Sequence, residues 1–206
     1  MENRAVELKC RTFEEIMQNY TEKTELSERS EENLPEEIKD YMRRLVGHNI
    51  SSYCYFKNET DQDIANCIPV IYSDFSGYAV IASYSSGEGP DYWLLRSDGI
   101  VCLFDFHAEA DAGAKYGDEL YSFDTKTFEE LLAVPLGINF TQFITAIDLY
   151  AQWEKIFEQF DEDDRTIRDN HVSGECSDTC KVCILNQEFK TQLSTIDQNL
   201  SKNWPI

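Results

Sequence analysis

Positive charge is scarce in this chain: 18 Lys and Arg stand against 39 Asp and Glu, a formal charge of −21 over 206 residues. Such a surface repels nucleic acid and anionic membrane and attracts basic proteins. Long apolar runs are missing too. No stretch approaches the roughly 20 residues of a membrane-spanning helix, and Met1 to Lys9 is charged, with no apolar segment of the signal-peptide kind. The expectation is a cytoplasmic protein with neither membrane nor nucleic acid as partner. Histidine is sparse, with only His48, His107 and His171. There is no G-x-S-x-G, no P-loop and no G-x-G-x-x-G. A hydrolase needs a nucleophile, a base and an orienting group that converge, and the residues offer no such set, so the chain reads as a binding protein rather than an enzyme. The nearest glycine cluster, Ser86-Gly87-Glu88-Gly89-Pro90, carries an acid and a proline where a phosphate cradle needs bare N–H groups.

What is present suffices for a core: 42% of residues are hydrophobic and 13% aromatic. Seven cysteines, an odd number in a chain too large to depend on disulfides, fit free thiols in a reducing compartment.

The first third reads as helix. Thr12-Phe13-Glu14-Glu15 has the capping-box order, and Phe13, Ile16, Met17 and Tyr20 follow at helical spacing. The charged stretch from Thr21 to Asn33 reads as a solvated connector. A second helix begins at Leu34-Pro35-Glu36-Glu37, buries Ile38, Tyr41, Met42 and Leu45, and stops at Gly47. Short runs rich in Val, Ile, Tyr and Phe come next: Ser52 to Lys57, Ile68 to Ser73, Gly77 to Tyr84, Tyr92 to Arg96 and Ile100 to Phe106. The turn Ser97-Asp98-Gly99 is too short for a crossover, so its strands pair antiparallel. A polar loop leads to a short helix from Thr127 through Ala133, closed by Pro135 and Gly137. Thr141 to Phe160 is the clearest helix of the chain, and a last one runs from about Leu185 to Leu200. The fold class expected is α+β, a mostly antiparallel sheet of about five to six strands with flanking helices on the N- and C-terminal sides. Residues 1–160 form the α+β domain, and 161–206 an acidic, cysteine-rich extension with a final helix.

Several ordered features resemble the SUKH superfamily, which contains cell-wall synthesis regulators and bacterial immunity proteins. Leu34-Pro35-Glu36-Glu37-Ile38-Lys39-Asp40-Tyr41 looks like its Leu-Pro before an acidic helix. Ile68-Pro69 through Gly77-Tyr78-Ala79-Val80 is similar to its Ile-Pro strand, turn and second strand. Gly99 through His107 resembles a Gly-x-Val strand that ends in a polar loop, and Ser122-Phe123 with Phe128-Glu129-Glu130-Leu131-Leu132 resembles the closing helix. The likeness covers about Thr12 to Ala133. It implies a non-catalytic binding role, most often that of an immunity protein neutralising a toxin, many such toxins being nucleases with basic clefts. An acidic inhibitor can imitate the phosphate backbone and associate quickly by steering. A host regulator or adaptor is the alternative within the same class.

Four groups are candidate sites. Asp105, His107, Glu109 and Asp111, where a strand enters a polar loop, and the acidic run Asp161, Asp163 and Asp164 suit contact with a basic partner such as a toxin domain. The acidic run is no calcium loop, because Arg165 and Thr166 follow where a ligand and Gly are needed. Tyr92 and Trp93, if exposed among acids, would make a protein-binding hot spot; core packing is the competing reading. His171, Cys176, Cys180 and Cys183 offer three thiolates and an imidazole, donors suited to tetrahedral zinc. Cys180-Lys181-Val182-Cys183 before a helix also allows thiol redox use.

Overall fold

The computed structural model describes residues 7–66, 77–85, 90–104, 133–160 and 180–204. Helix α1 (Phe13–Met17) starts at the expected capping box. Thr12 accepts from the Glu15 N–H, the Glu15 carboxylate accepts from the Thr12 N–H, and Phe13, Ile16 and Met17 are buried. Its C-terminal carbonyls are held by Arg44, which donates to the carbonyls of Met17 and Tyr20. Helix α3 (Glu36–Leu45) begins after Pro35, buries Ile38, Met42 and Leu45, and ends before Gly47, whose φ of 89° suits glycine.

Between them the expected connector is partly helical. Helix α2 (Glu28–Asn33) is capped by Ser27, whose hydroxyl accepts from the Ser30 N–H, and Ser30 is fully buried. A run this acidic still folds because Ser27 and Ser30 tie one face of it to the chain at Asn58 and Glu59.

Six antiparallel strands follow chain order across one sheet: β1 (Asn49–Ser51), β2 (Cys54–Phe56), β3 (Tyr78–Ser85), β4 (Pro90–Arg96), β5 (Ile100–Phe104) and β6 (Ala133–Asn139). The α+β class holds. The β4–β5 turn forms as expected: Gly99 has φ 86°, its N–H donates to the Arg96 carbonyl at 2.8 Å, and Arg96 grips Asp98. That guanidinium holds the Asp98 carboxyl below its usual range. One expectation fails at β6. Pro135 and Gly137 read as the end of a helix, yet Ala133–Asn139 is a strand paired with β5. Among the described residues it is the outermost strand of the sheet, where a proline costs no ladder bond on its outer side, and Gly137 takes φ 74° beside an irregular register. The strand expected over Ile68 to Ser73, the helix over Thr127 to Leu132 and the family-like motifs there lie outside the described residues.

Helix α4 (Asp61–Asn66) follows β2. The long helix α5 (Phe140–Phe157) starts at a capping box between Asn139 and Gln142, and buries Phe143, Ile144, Ile147 and Tyr150. Trp93, Leu95 and Val101 of the sheet share its core with α1, α3 and α5. Helix α6 (Lys181–Ile196) joins the same core through Leu185, Phe189 and Leu193, spaced for one helical face, and α7 (Leu200–Asn203) adds Leu200. Trp153 Nε1 donates to Asn186 Oδ1 at 2.9 Å, and Leu8 N–H to Glu188 Oε1 at 3.0 Å, so α6 is tied to α5 and to the N-terminal segment. Among the described residues no helix is long and apolar enough to cross a membrane.

Candidate functional site

The structure corrects the aromatic candidates first. Trp93 is 0% and Tyr92 4% exposed. The Trp93 indole donates to the Tyr53 carbonyl at 3.0 Å and packs against Phe143, Tyr84 and Trp204. Neighbouring strand residues face opposite sides of a sheet, and here both sides are covered, so neither ring is on offer to a partner. Asp105, His107, Glu109, Asp111, Asp161, Asp163, Asp164, His171 and Cys176 lie outside the described residues.

Cys180 and Cys183 are described, and both are half-buried. Cys180 is the N-cap of α6, and its sulfur accepts from the Cys183 N–H at 3.4 Å. The thiol therefore acts as a helix cap. Among the described residues no group of three or more His, Cys, Asp or Glu side chains is placed to hold a metal.

The geometry singles out a place that the sequence did not. Where β2 ends, residues Asn58 to Thr60 cross the N-terminal end of α2. Ser27 N–H donates to Asn58 Oδ1 at 2.9 Å, Ser27 Oγ donates to the Glu59 carbonyl at 3.0 Å, and Glu59 N–H donates to Ser30 Oγ at 2.9 Å. On the other side Thr60 caps α4, its N–H and hydroxyl donating to Asp63 Oδ2 at 2.9 and 2.6 Å while its Oγ1 accepts from the Asp63 N–H. Asp63 is itself neutralised by Lys57 at 2.6 Å. Two short helices are thus fixed side by side, and between them lies an open groove of about 590 Å³ lined by Ser27, Glu28, Arg29, Glu32, Glu59, Thr60 and Asp61.

Four carboxyl groups share this groove with one guanidinium. Arg29 Nε donates to Asp61 Oδ1 at 2.5 Å. Glu59 is the unusual member. It is 1% exposed, its Oε2 accepts from Asn33 Nδ2 at a long 3.3 Å, and its Oε1 has no hydrogen-bond donor among the described residues. Loss of water around the carboxylate pushes its pKa from 4.5 up to about 7. Asn33, the Val80 N–H and the charge of Arg29 oppose that rise, and Asp63 adds to it. The hydroxyls of Ser27 and Thr60 are committed to capping, so the groove holds no activated nucleophile. Among the described residues its lining carries more acidic than basic groups.

Glu59 was missed because nothing in Lys57-Asn58-Glu59-Thr60-Asp61 marks it as buried; the residues that bury it lie 26 to 32 positions away along the chain. The one legible signal nearby is Thr60 followed by Asp63, which has capping-box order. Set against protein-family models, curated proteins and solved structures, the chain has no significant match in any of the three.

Proposed function

We propose that this protein is a non-catalytic inhibitor that binds a basic protein through its acidic surface, as an immunity protein neutralising a toxin domain of the nuclease kind. The observation that carries the reading is the acidic groove between α2 and α4, four carboxyl groups against one guanidinium, on a chain of net charge −21. A field of that sign speeds encounter with a basic cleft and, once seated, covers it. The order of motifs supports the same reading. Leu34-Pro35 stands at the start of α3, Tyr78-Ala79-Val80 in β3 and Gly99-Ile100-Val101 at the turn into β5, and these are among the motifs on which the SUKH resemblance rests.

A tagged pull-down of the full chain from its native host, at low and moderate salt with mass spectrometry of stoichiometric partners, tests it. One basic, toxin-like protein in near-equal amount is the expected result, and its association rate should fall about tenfold between low and moderate salt as the field is screened. A host structural or signalling protein in its place would move the assignment to a regulator. A salt-independent association rate would refute the electrostatic mechanism.

A further inference from the structure

Two other buried carboxylates each have a base beside them, Asp148 with Arg11 and Asp63 with Lys57. Glu59 is 1% exposed and has an oxygen with no donor among the described residues, beneath a groove whose rim carries Glu28, Glu32 and Asp61. A buried carboxylate without a full complement of donors is costly to leave uncompensated, and a cation brought near it recovers that cost. The groove already shows what suits it, since Arg29 lies along its wall with the guanidinium turned to Asp61. One guanidinium does not balance four carboxyl groups. An open space of about 590 Å³ admits a further long cationic side chain.

From this geometry we infer that the α2–α4 groove is a receptor for an arginine or lysine side chain of the basic partner, with Glu59 as its floor. The inference rests on the proposed function for its partner and adds where and how that partner is gripped. Among the described residues the charged groups around Glu59 are Glu28, Arg29 and Glu32 of α2, Lys57 at the end of β2, and Asp61 and Asp63 of α4, while β3 contributes the backbone N–H of Val80. An incoming cation adds to Arg29 and Lys57 and favours the ionised form of Glu59. Binding therefore expels a proton near neutral pH, and affinity rises as pH rises.

The test uses the full-length protein and a capped hexa-arginine peptide as probe. Carboxyl-carbon NMR follows Glu59 as pH is varied, and calorimetry measures affinity at pH 6 and pH 8. The expected result is that the peptide lowers the Glu59 titration midpoint by about one pH unit, so that affinity grows up to about tenfold across the range. Glu59→Gln should remove that pH dependence. Glu28→Gln with Glu32→Gln should weaken the peptide several-fold more than Glu36→Gln with Glu37→Gln, the same charge change on α3. An unchanged pH dependence in Glu59→Gln, or equal weakening by the two double variants, would overturn the inference. Spermidine lowering the Glu59 midpoint as far as the peptide does would overturn the choice of a protein side chain as occupant. Should the pull-down yield a basic partner while the peptide leaves Glu59 untouched, the groove is wrong and the binding reading stands. If the peptide engages Glu59 and no basic partner is recovered, the binding reading fails alone.

Discussion

Replacing Glu59 by glutamine should make the protein more stable, and by an amount that grows with pH. The native carboxyl holds its proton up to about pH 7, whereas in the unfolded chain it releases it near 4.5. Between those values the native state binds a proton that the unfolded state has lost, so stability falls as pH rises through the window and the loss is complete above it. At ~1.4 kcal/mol per tenfold change in proton affinity, the full gap corresponds to about 3 kcal/mol. The groove opens to water on one side and screens part of this, which leaves about 2 kcal/mol. Glutamine has nearly the shape of the protonated acid and cannot ionise. The two proteins should therefore be nearly equal at pH 4.5 and differ by about 2 kcal/mol in favour of Glu59→Gln at pH 8.

Urea unfolding followed by tryptophan fluorescence at pH 4.5, 6, 7 and 8 would measure this, with unchanged slopes confirming that only stability moved. Other carboxyls titrate in the same range. Glu15, Glu36, Asp40 and Asp98 are all held below their ordinary values by hydrogen bonds, from Thr12, Lys39, Lys23 and Arg96 in turn. These work in the opposite sense, since the native state loses their protons first, and they are common to both proteins, so the difference curve isolates Glu59. A difference that stays flat with pH, or a variant that is weaker at pH 8, would refute the burial account of this residue.

Two further substitutions probe the frame. Trp93→Ala removes the largest fully buried side chain and its hydrogen bond to Tyr53, and should cost about 3–5 kcal/mol in urea unfolding; a loss under ~1 kcal/mol would show that the indole is not packed as described. Asp148→Ala strips Arg11 of its acceptor and leaves Gln152 with only the Lys9 carbonyl, but the Arg11 side chain is 37% exposed and can rehydrate. The expected loss is about 1–3 kcal/mol, below the range for a fully buried pair, and Arg11→Met with Asp148→Leu should recover part of it.

Local chemistry written in neighbouring residues was legible, and chemistry assembled from distant ones was not. Thr12 with Glu15, Pro35 ahead of two acids, and Asp98-Gly99 between two β-rich runs each specify a cap or a turn within four residues, and each forms as the sequence implied. Pro135 and Gly137 misled because their meaning depends on neighbours in space: at the outer edge of a sheet a proline interrupts no ladder bond, so residues that stop a helix can sit in a strand. Tyr92 and Trp93 posed a related problem. Alternation says that they face opposite sides, but only the packing of α5 and the rest of the chain decides that both sides are covered. The charge run holding α2 looked solvated, and on its outer face it is; Ser27 and Ser30 on the inner face have no apolar signature to betray their contact with Glu59.

That contact also bears on why the groove is where it is. Hydrogen bonds from Ser27 and to Ser30 fix the backbone of Glu59 on both sides, and its carboxyl lies buried beside them. A carboxylate confined in this way destabilises the free protein near neutral pH, and the cost falls as soon as positive charge arrives. Asp63, one turn of chain away, shows the alternative that the fold had at hand, a lysine 2.6 Å from a carboxylate of nearly equal burial. Glu59 has Arg29 nearby, but that guanidinium is turned to Asp61 instead. Unspent electrostatic attraction at the base of an open acidic groove is what the proposed receptor would draw on, since the same stability could be regained within the chain by one well-placed base.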